Sequence, residues 1–175
     1  MENDIDACAT YWKRYVASLP ADHPHRSARP DAFAFGDSDA LANQLAALVL
    51  SGRKQATASL AIEFTSLNES LPKAGDLSIV LWAGGLPAAI IEHVEVRHVA
   101  FQSVDEAFAA SEGEGDCTLA WWRAAHREYF SRVCQRLGGE FNETTPVICQ
   151  RFRLLWKEDV GSRARTSLNA CQAGS

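Results

Sequence analysis

The stretch PKAGDLSIVLWAGGLPAAIIEHVEVRHVAF, residues 72–101, contains two apolar runs separated by Gly84 and Gly85. The runs are rich in Val, Ile and Leu, and β-branched residues favour strands. Adjacent glycines give the backbone the freedom that a tight turn requires. This stretch therefore predicts a β-hairpin, around which the rest of the chain is arranged.

Helical periodicity appears on both sides of the hairpin, and one further strand pattern closes the chain. We predict an amphipathic N-terminal helix that ends before Pro20, and a second helix with cap candidates Asp37 and Ser38 that stops at Gly52. The segment between them, residues 21–36, has two prolines and predicts a loop. The remaining predictions are a short helix through Phe64, a short helix over 103–111, a long helix over 117–138 and a strand over 145–156.

Few strands with helices between and around them predict an α+β fold whose sheet curls into a small β-barrel with flanking helices. The 175 residues, 47% of them hydrophobic, are enough for one well-buried core. We expect residues 1–34 to form a helix and connecting loop packed on the domain, residues 35–160 to form the main domain, and residues 161–175 to be a loose tail.

No apolar run is long enough for a membrane span and the N-terminus is acidic, so we expect a cytoplasmic protein. The five cysteines are odd in number and widely spaced, which predicts reduced thiols. His23-x-His25 has no identifiable third ligand, so no metal site and no certain cofactor is predicted, and divalent-metal dependence stays open. The sequence indicates no protein partner.

The net charge of −5 does not favour a protein that binds nucleic acid mainly by neutralising many phosphates. Residues 1–117 carry 8 basic against 17 acidic residues, whereas residues 118–175 carry 9 against 5. This asymmetry leaves two interpretations, a local basic binding surface or a solvated helix face.

The common catalytic motifs are absent, and the segment SGRKQATAS, residues 51–59, contains the chemistry that remains. Lys54 and Thr57 lie three residues apart where a helix leads into a strand. Alternation puts Glu92 on the same face of its strand as Val94 and Val96, and we assign this face to the interior, with His93 outside. A buried Glu92 needs a partner, for which Lys54 is the natural candidate. The pair is either a functional dyad or a structural ion pair.

Four segments, in order along the chain, resemble the ASCH family of PUA-like β-barrel proteins. They are FGDSDALANQLAALVLSGRKQATASL, LPKAGDLSIVL, AAIIEHVEV and EGEGDCTLAWWRAAHREYF. The resemblance as a whole extends from about Phe35 to Trp156. The family's G-x-K-x-x-T/E motif corresponds to Gly52, Lys54 and Thr57. Its hairpin glutamate corresponds to Glu92, and Thr118 stands where the longer bacterial members usually have Ser. We otherwise interpret the EGEGD segment as a turn or an acidic rim.

The resemblance implies a cleft that handles single-stranded RNA or a nucleoside-sized ligand, with three functions open. We favour cleavage of single-stranded RNA, in which Lys54 stabilises the transition state at phosphorus and Glu92 accepts the proton of a 2′-hydroxyl. The second is an N4-acetylcytidine-type amidohydrolase, in which the lysine deprotonates Thr57. The third is a non-catalytic RNA or modified-base binding module. The expected substrate contacts are Arg53, Ser59, Thr118, Trp122 and Arg123, with Trp122 or Trp82 stacking a base.

Overall fold

The computed structural model of the protein describes residues 2–158, and the predicted tail over residues 161–175 lies outside them. The helices are α1 (Glu2–Ala17), α2 (Asp39–Leu50), α3 (Ala61–Leu67), α4 (Glu106–Glu112) and α5 (Leu119–Arg136), with short 3-10 helices at Pro24–Ser27 and Phe101–Ser103. The strands are β1 (Asp31–Phe33), β2 (Ala56–Leu60), β3 (Leu77–Leu81), β4 (Pro87–Ala100) and β5 (Pro146–Trp156).

The five strands form one sheet in the order β1-β3-β4-β5-β2, which curls into a half-barrel. The predicted hairpin is confirmed as β3 and β4, which pair antiparallel with Ile79 opposite Ile90. Strand β5 lies antiparallel between β4 and β2. The predicted α+β class and curled sheet are thus confirmed.

Strand β1 falls within the segment that the sequence predicted to be a loop, so that part of the prediction is wrong. It has only three residues and pairs in parallel with β3, with Ala32 opposite Ile79. A strand of this length directly after Pro30 has no periodicity of its own. Its pairing with a distant strand is what defines it.

Helices pack on the sheet through three apolar clusters. Helix α2 packs against β3, β4 and β5 through Val49, Val80 and Phe152, and α1 packs against Ile90 through Tyr11 and Tyr15. Helices α4 and α5 cover β2 and the start of β5. None of the helices within residues 2–158 is long and apolar enough to cross a membrane.

The predicted orientation of β4 is wrong. His93 is 3% exposed and contacts the ring of Phe152, whereas Val94, assigned to the interior, is 49% exposed. Helices cover both faces of this part of the strand, so Ile90 and Ile91 are both fully buried. Apolar character therefore does not distinguish the two faces. In addition, an irregularity in the pairing between His93 and Glu95 changes which side chains point to each face in the rest of the strand.

Helix α4 ends where its backbone contacts the segment that follows α2. Gly113 terminates α4 with a positive φ of 68°, and a Cβ atom there would lie 2.3 Å from the carbonyl oxygen of Arg53. The amide of Gln55 donates to the carbonyl of Ser111, 2.8 Å away. The close approach therefore requires glycine at position 113 for two reasons, backbone conformation and space.

We predict that Gly113→Ala destabilises the fold more than Gly138→Ala does. Both glycines have positive φ, but a Cβ at Gly138 would meet nothing within 4 Å. The control should lose about 1–2 kcal/mol for the left-handed backbone, and Gly113→Ala about 1–3 kcal/mol more for overpacking. Urea unfolding of the two variants measures the difference, and equal losses would contradict the close packing of Gly113 on Arg53.

Candidate functional site

Lys54 is buried at the junction of α2 and β2, where its ammonium group lies between two carboxylates. It is 2% exposed, and its Nζ donates to Glu112 Oε2 at 3.0 Å and to Glu114 Oε1 at 2.5 Å. Its backbone amide donates to the carbonyl of Leu48, 3.1 Å away, which fixes the segment leaving α2. We call Lys54, Glu112 and Glu114 the lysine cluster. The predicted Lys54–Glu92 pair is therefore wrong.

Both carboxylates come from the EGEGD segment, for which the sequence predicts a turn or an acidic rim. Glu112 is the last residue of α4, and it shares the buried face of that helix with Phe108 and Ala109. Gly113 reverses the chain, after which Glu114 approaches the same ammonium group. The sequence signal that we missed is a glutamate four residues after Phe108 on an apolar helix face, because such a buried charge needs a partner.

A second layer of contacts fixes Glu112. Its Oε1 accepts a hydrogen bond of 2.9 Å from Trp122 Nε1, and His126 Nε2 lies 3.7 Å from the same oxygen. The His126 ring stacks on Trp122 with a centroid distance of 4.1 Å. The carboxylate is therefore held on both oxygens and cannot turn away from Lys54.

The charges of the cluster hold both partners ionised. Burial alone would lower the pKa of Lys54, but its attraction to Glu112 and Glu114 is stronger and raises the pKa. Burial alone would raise the pKa of Glu112, whereas Lys54, His126 and the hydrogen bond from Trp122 together lower it. At neutral pH Lys54 is therefore a cation, and the lysine cluster has more negative than positive charge.

Polar residues of β2 and β5 lie on the face of the sheet that the ammonium group reaches. Lys54 Nζ is 5.1 Å from the centroid of the Phe35 ring, which stacks on Phe152 at 6.1 Å. Gln150 lies two residues before Phe152 on β5, hence on the same face, and is the register partner of Thr57.

The hydroxyl groups of this face differ in their contacts. Gln150 Nε2 donates to Ser59 Oγ at 2.9 Å. Thr57 is half-buried, and within residues 2–158 its hydroxyl has no hydrogen-bond partner. The structure thus brings Thr57 and Ser59 to the face reached by Lys54, with the Thr57 hydroxyl available to a ligand.

Glu92 lies elsewhere. It is the register partner of Arg153, whose guanidinium approaches its carboxylate to 2.6 Å. Burial raises the pKa of Tyr15 and the charge of Glu92 raises it further, and Tyr15 belongs to the cluster under α1. Glu92 therefore points to the opposite face from His93 and Phe152. The predicted cleft built around Lys54, Thr57 and Glu92 does not form.

Trp122 is a core residue, so the prediction that it stacks an unpaired base is wrong. It is 1% exposed and its ring stacks on Phe101 with a centroid distance of 5.4 Å. Its neighbour Trp121 is the partly exposed ring of the pair. On a helix, consecutive residues point about 100° apart, and the sequence does not determine which of two tryptophans faces the core.

Three other predicted contacts have defined positions. Thr118 caps α5, because its Oγ1 accepts from the amide of Trp121 at 3.1 Å and donates to Asp116 at 2.7 Å. Its single hydroxyl proton is thus donated to Asp116 and is not available to a substrate. Arg123 donates to the carbonyl of Gln102 at 2.9 Å, and Arg53 is exposed beside the lysine cluster. Of the predicted cations, Arg53 is the exposed one, and its Nη2 donates to Cys117 Sγ at 3.9 Å.

The structure contains no cluster of three or more His, Cys, Asp or Glu residues placed to hold a metal ion within residues 2–158. The rings of His23 and His25 lie 4.5 Å apart, and His25 Nδ1 is 2.7 Å from the hydroxyl of Tyr15. Cys117, Cys134 and Cys149 are free thiols.

Comparison with known proteins identifies relatives over most of the chain. The family model of the ASCH domain matches residues 31–156. A crystal structure of an ASCH domain from Lactobacillus crispatus JV V101 is 36% identical, with a TM-score of 0.80 and coverage of 85% of this chain and 94% of that chain. A protein from Enterococcus faecalis V583, of the family designated DUF984, is 30% identical, with a TM-score of 0.75 and coverage of 89% and 90%. The comparison with curated proteins found no match.

We predict that Lys54→Met costs about 3–5 kcal/mol of the free energy of unfolding at pH 7, because it leaves buried carboxylates without a partner. The exposed Lys73→Met should change it by less than about 0.5 kcal/mol. Urea unfolding of the wild type and both variants at pH 7 measures these losses.

The pH dependence of these stabilities tests the charges directly. Because the pKa of Glu112 lies below its ordinary 4.5, its contribution is present above pH 4.5 and is lost as the pH falls through the lowered pKa. Because the pKa of Lys54 lies above 10.5, its contribution is present below pH 10.5 and is lost as the pH rises through the raised pKa. In Lys54→Met, burial favours protonated Glu112, so the deficit relative to wild type should shrink between pH 7 and 4.5. A deficit that stays constant over this range would contradict the cluster.

Proposed function

The chain belongs to the ASCH domain family, whose members share a PUA-like fold and generally interact with RNA, and from this membership we propose that it recognises an unpaired nucleobase and hydrolyses an N-acyl group from its exocyclic amine. The substrate is an acylated cytidine-type base, in RNA or as a free nucleoside. The observation that carries the proposal is the pairing of the single ammonium group of Lys54 with two carboxylates.

The charge of the lysine cluster favours a base over a phosphate. A phosphate near Lys54 would also meet Glu112 and Glu114, which together outweigh the ammonium charge. The side chain of Glu114 is 14% exposed, so it is the member of the cluster that a ligand can reach. A carboxylate accepts a hydrogen bond from the exocyclic N–H of cytosine, and this contact supports recognition of a base edge.

The available groups suffice for hydrolysis of an amide. The hydroxyl of Thr57 attacks the acyl carbon, and its proton passes to the Glu114 carboxylate. The C–N bond then breaks and the amine takes that proton. Water next hydrolyses the Thr57 ester, in which one proton returns to the Thr57 oxygen and the acyl group leaves as a carboxylate with release of one proton to solvent. Lys54 acts as a permanent cation that positions Glu114. Its raised pKa makes it unsuited to the role of a neutral base.

Cleavage of single-stranded RNA is the second candidate, and exposed Arg53 favours it. Its guanidinium, next in sequence to Lys54, could stabilise the charge that develops on a phosphate during attack by the 2′-hydroxyl. Glu92 cannot take the proton of that hydroxyl, since it lies on the other face of the sheet. Glu114 would have to act as the base.

We predict that the protein converts N4-acetylcytidine to cytidine and acetate, and that Thr57→Val and Glu114→Gln each lower kcat/KM by about 10²–10⁴-fold. Chromatographic separation of the two nucleosides measures the reaction. A labelled single-stranded RNA is incubated in parallel, with wild type and Arg53→Gln.

Matched controls are Thr65→Val, on the exposed face of α3, and Glu128→Gln, on the exposed face of α5. Both should retain wild-type kcat/KM. RNA fragments that require Arg53, without release of acetate, would overturn the amidohydrolase in favour of the ribonuclease. Hydrolysis that survives Thr57→Val would exclude Thr57 as the nucleophile.

A further inference from the structure

A cavity of about 350 Å³ lies between the start of α2 and the turn that joins β3 to β4. Its walls include Phe35, Asp37, Asp39 and Trp82. We propose that this cavity is a second nucleobase subsite, which takes an unpaired base of RNA next to the one at the lysine cluster. The inference rests on the proposed function in that both subsites serve one RNA strand.

The cavity is held open by contacts between its walls. Asn43 Oδ1, on α2, accepts from the amide of Ala83 in the hairpin turn at 2.9 Å. Arg132 of α5 donates to Asp37 at 2.9 Å. The chain between β1 and α2 packs closely on the helix, because a Cβ at Gly36 would lie 2.7 Å from Leu41. The site is therefore formed without a ligand.

The walls offer an aromatic surface and a free donor. Trp82 is half-buried against the α2 cluster, and within residues 2–158 its indole N–H has no hydrogen-bond partner. A tryptophan fixed by packing on one side can stack a base on the other at little cost in side-chain entropy. Phe35 supplies further apolar wall.

The charges of the cavity walls determine which part of a nucleotide the cavity can bind. Among the described residues that line the cavity, Asp37 and Asp39 are ionisable and none is Lys or Arg. Phosphate would be repelled, whereas exocyclic amino groups and ribose hydroxyls are donors that a carboxylate accepts. Asp37 already accepts from Arg132, so Asp39, which is exposed at the first position of α2, is the acceptor available to a ligand.

Phe35 joins the two subsites. Its ring lines the cavity and lies 5.1 Å from Lys54 Nζ. A strand that places one base on Trp82 and a neighbouring base at the lysine cluster would run along the surface above Phe35, which is itself 5% exposed. An oligonucleotide should therefore bind more tightly than a nucleoside.

Isothermal titration with cytidine and with a single-stranded RNA hexamer, at fixed salt, tests the proposal. Trp82→Ala should weaken hexamer binding by about 5- to 100-fold, since stacking contributes strongly for each base. Asp39→Asn should weaken it by about 5-fold, through loss of a charged acceptor. The hexamer should bind wild type at least tenfold more tightly than cytidine does.

Two control variants distinguish a loss of RNA binding at the cavity from a general effect of substitution on RNA binding. Leu86→Ala changes an exposed residue of the same hairpin turn, and Glu106→Gln removes a carboxylate from the first turn of α4. Both should bind the hexamer as wild type does. Asp39→Asn tests the site even where Trp82→Ala lowers stability, because it keeps the volume of the side chain.

Wild-type affinity for the hexamer in both Trp82→Ala and Asp39→Asn would overturn the subsite, as would an equal loss in Leu86→Ala. Equal affinities of wild type for cytidine and hexamer would also overturn it. These outcomes are independent of the release of acetate from N4-acetylcytidine, which tests the proposed function alone.

Discussion

The contact between the buried ammonium group of Lys54 and two carboxylates is the interaction on which this part of the fold depends. It joins the segment leaving α2 to the segment leaving α4, and both segments are also held by backbone contacts at Gly113 and Gln55. A buried charge that loses its partner destabilises a fold strongly, so neither segment can move independently of the other. The same interaction holds Glu114 with 14% of its side chain exposed, so a substitution of Glu114 also affects the stability of the fold.

Much of the fold could be predicted because it follows from local patterns. The glycine pair predicted the β3–β4 turn, and Ser38 and Gly52 predicted the ends of α2. Lys54 was predicted to be a site residue from its position and from the family motif. Strand β1 could not be predicted, since its three residues are defined only by pairing with β3.

The partner of Lys54 was predicted wrongly for a physical reason. Charge complementarity requires that a buried lysine have an acidic partner, but it does not say which one, and Glu92 and Glu112 both lie in apolar sequence. The choice is made by tertiary structure, because α1 covers one face of β4 and provides Glu92 with a half-buried surface beside Arg153. Glu112 is instead enclosed by Trp122 and Lys54. Where both faces of a strand are buried, its sequence pattern does not indicate which face lies at the site.

The net charge of −5 and an RNA-interacting fold are compatible if recognition is directed at bases. Proteins that neutralise many phosphates need clustered cations, whereas the lysine cluster and the cavity beside Trp82 both present carboxylates. Base edges supply the amino groups that such acceptors bind, and Trp82 and Phe35 supply apolar surface. Arg53 is the exposed cation next to these groups, and a single phosphate contact is enough to orient a strand without dominating its affinity. Under the proposed function, the carboxylates at these two sites favour the base over the phosphate backbone of the ligand.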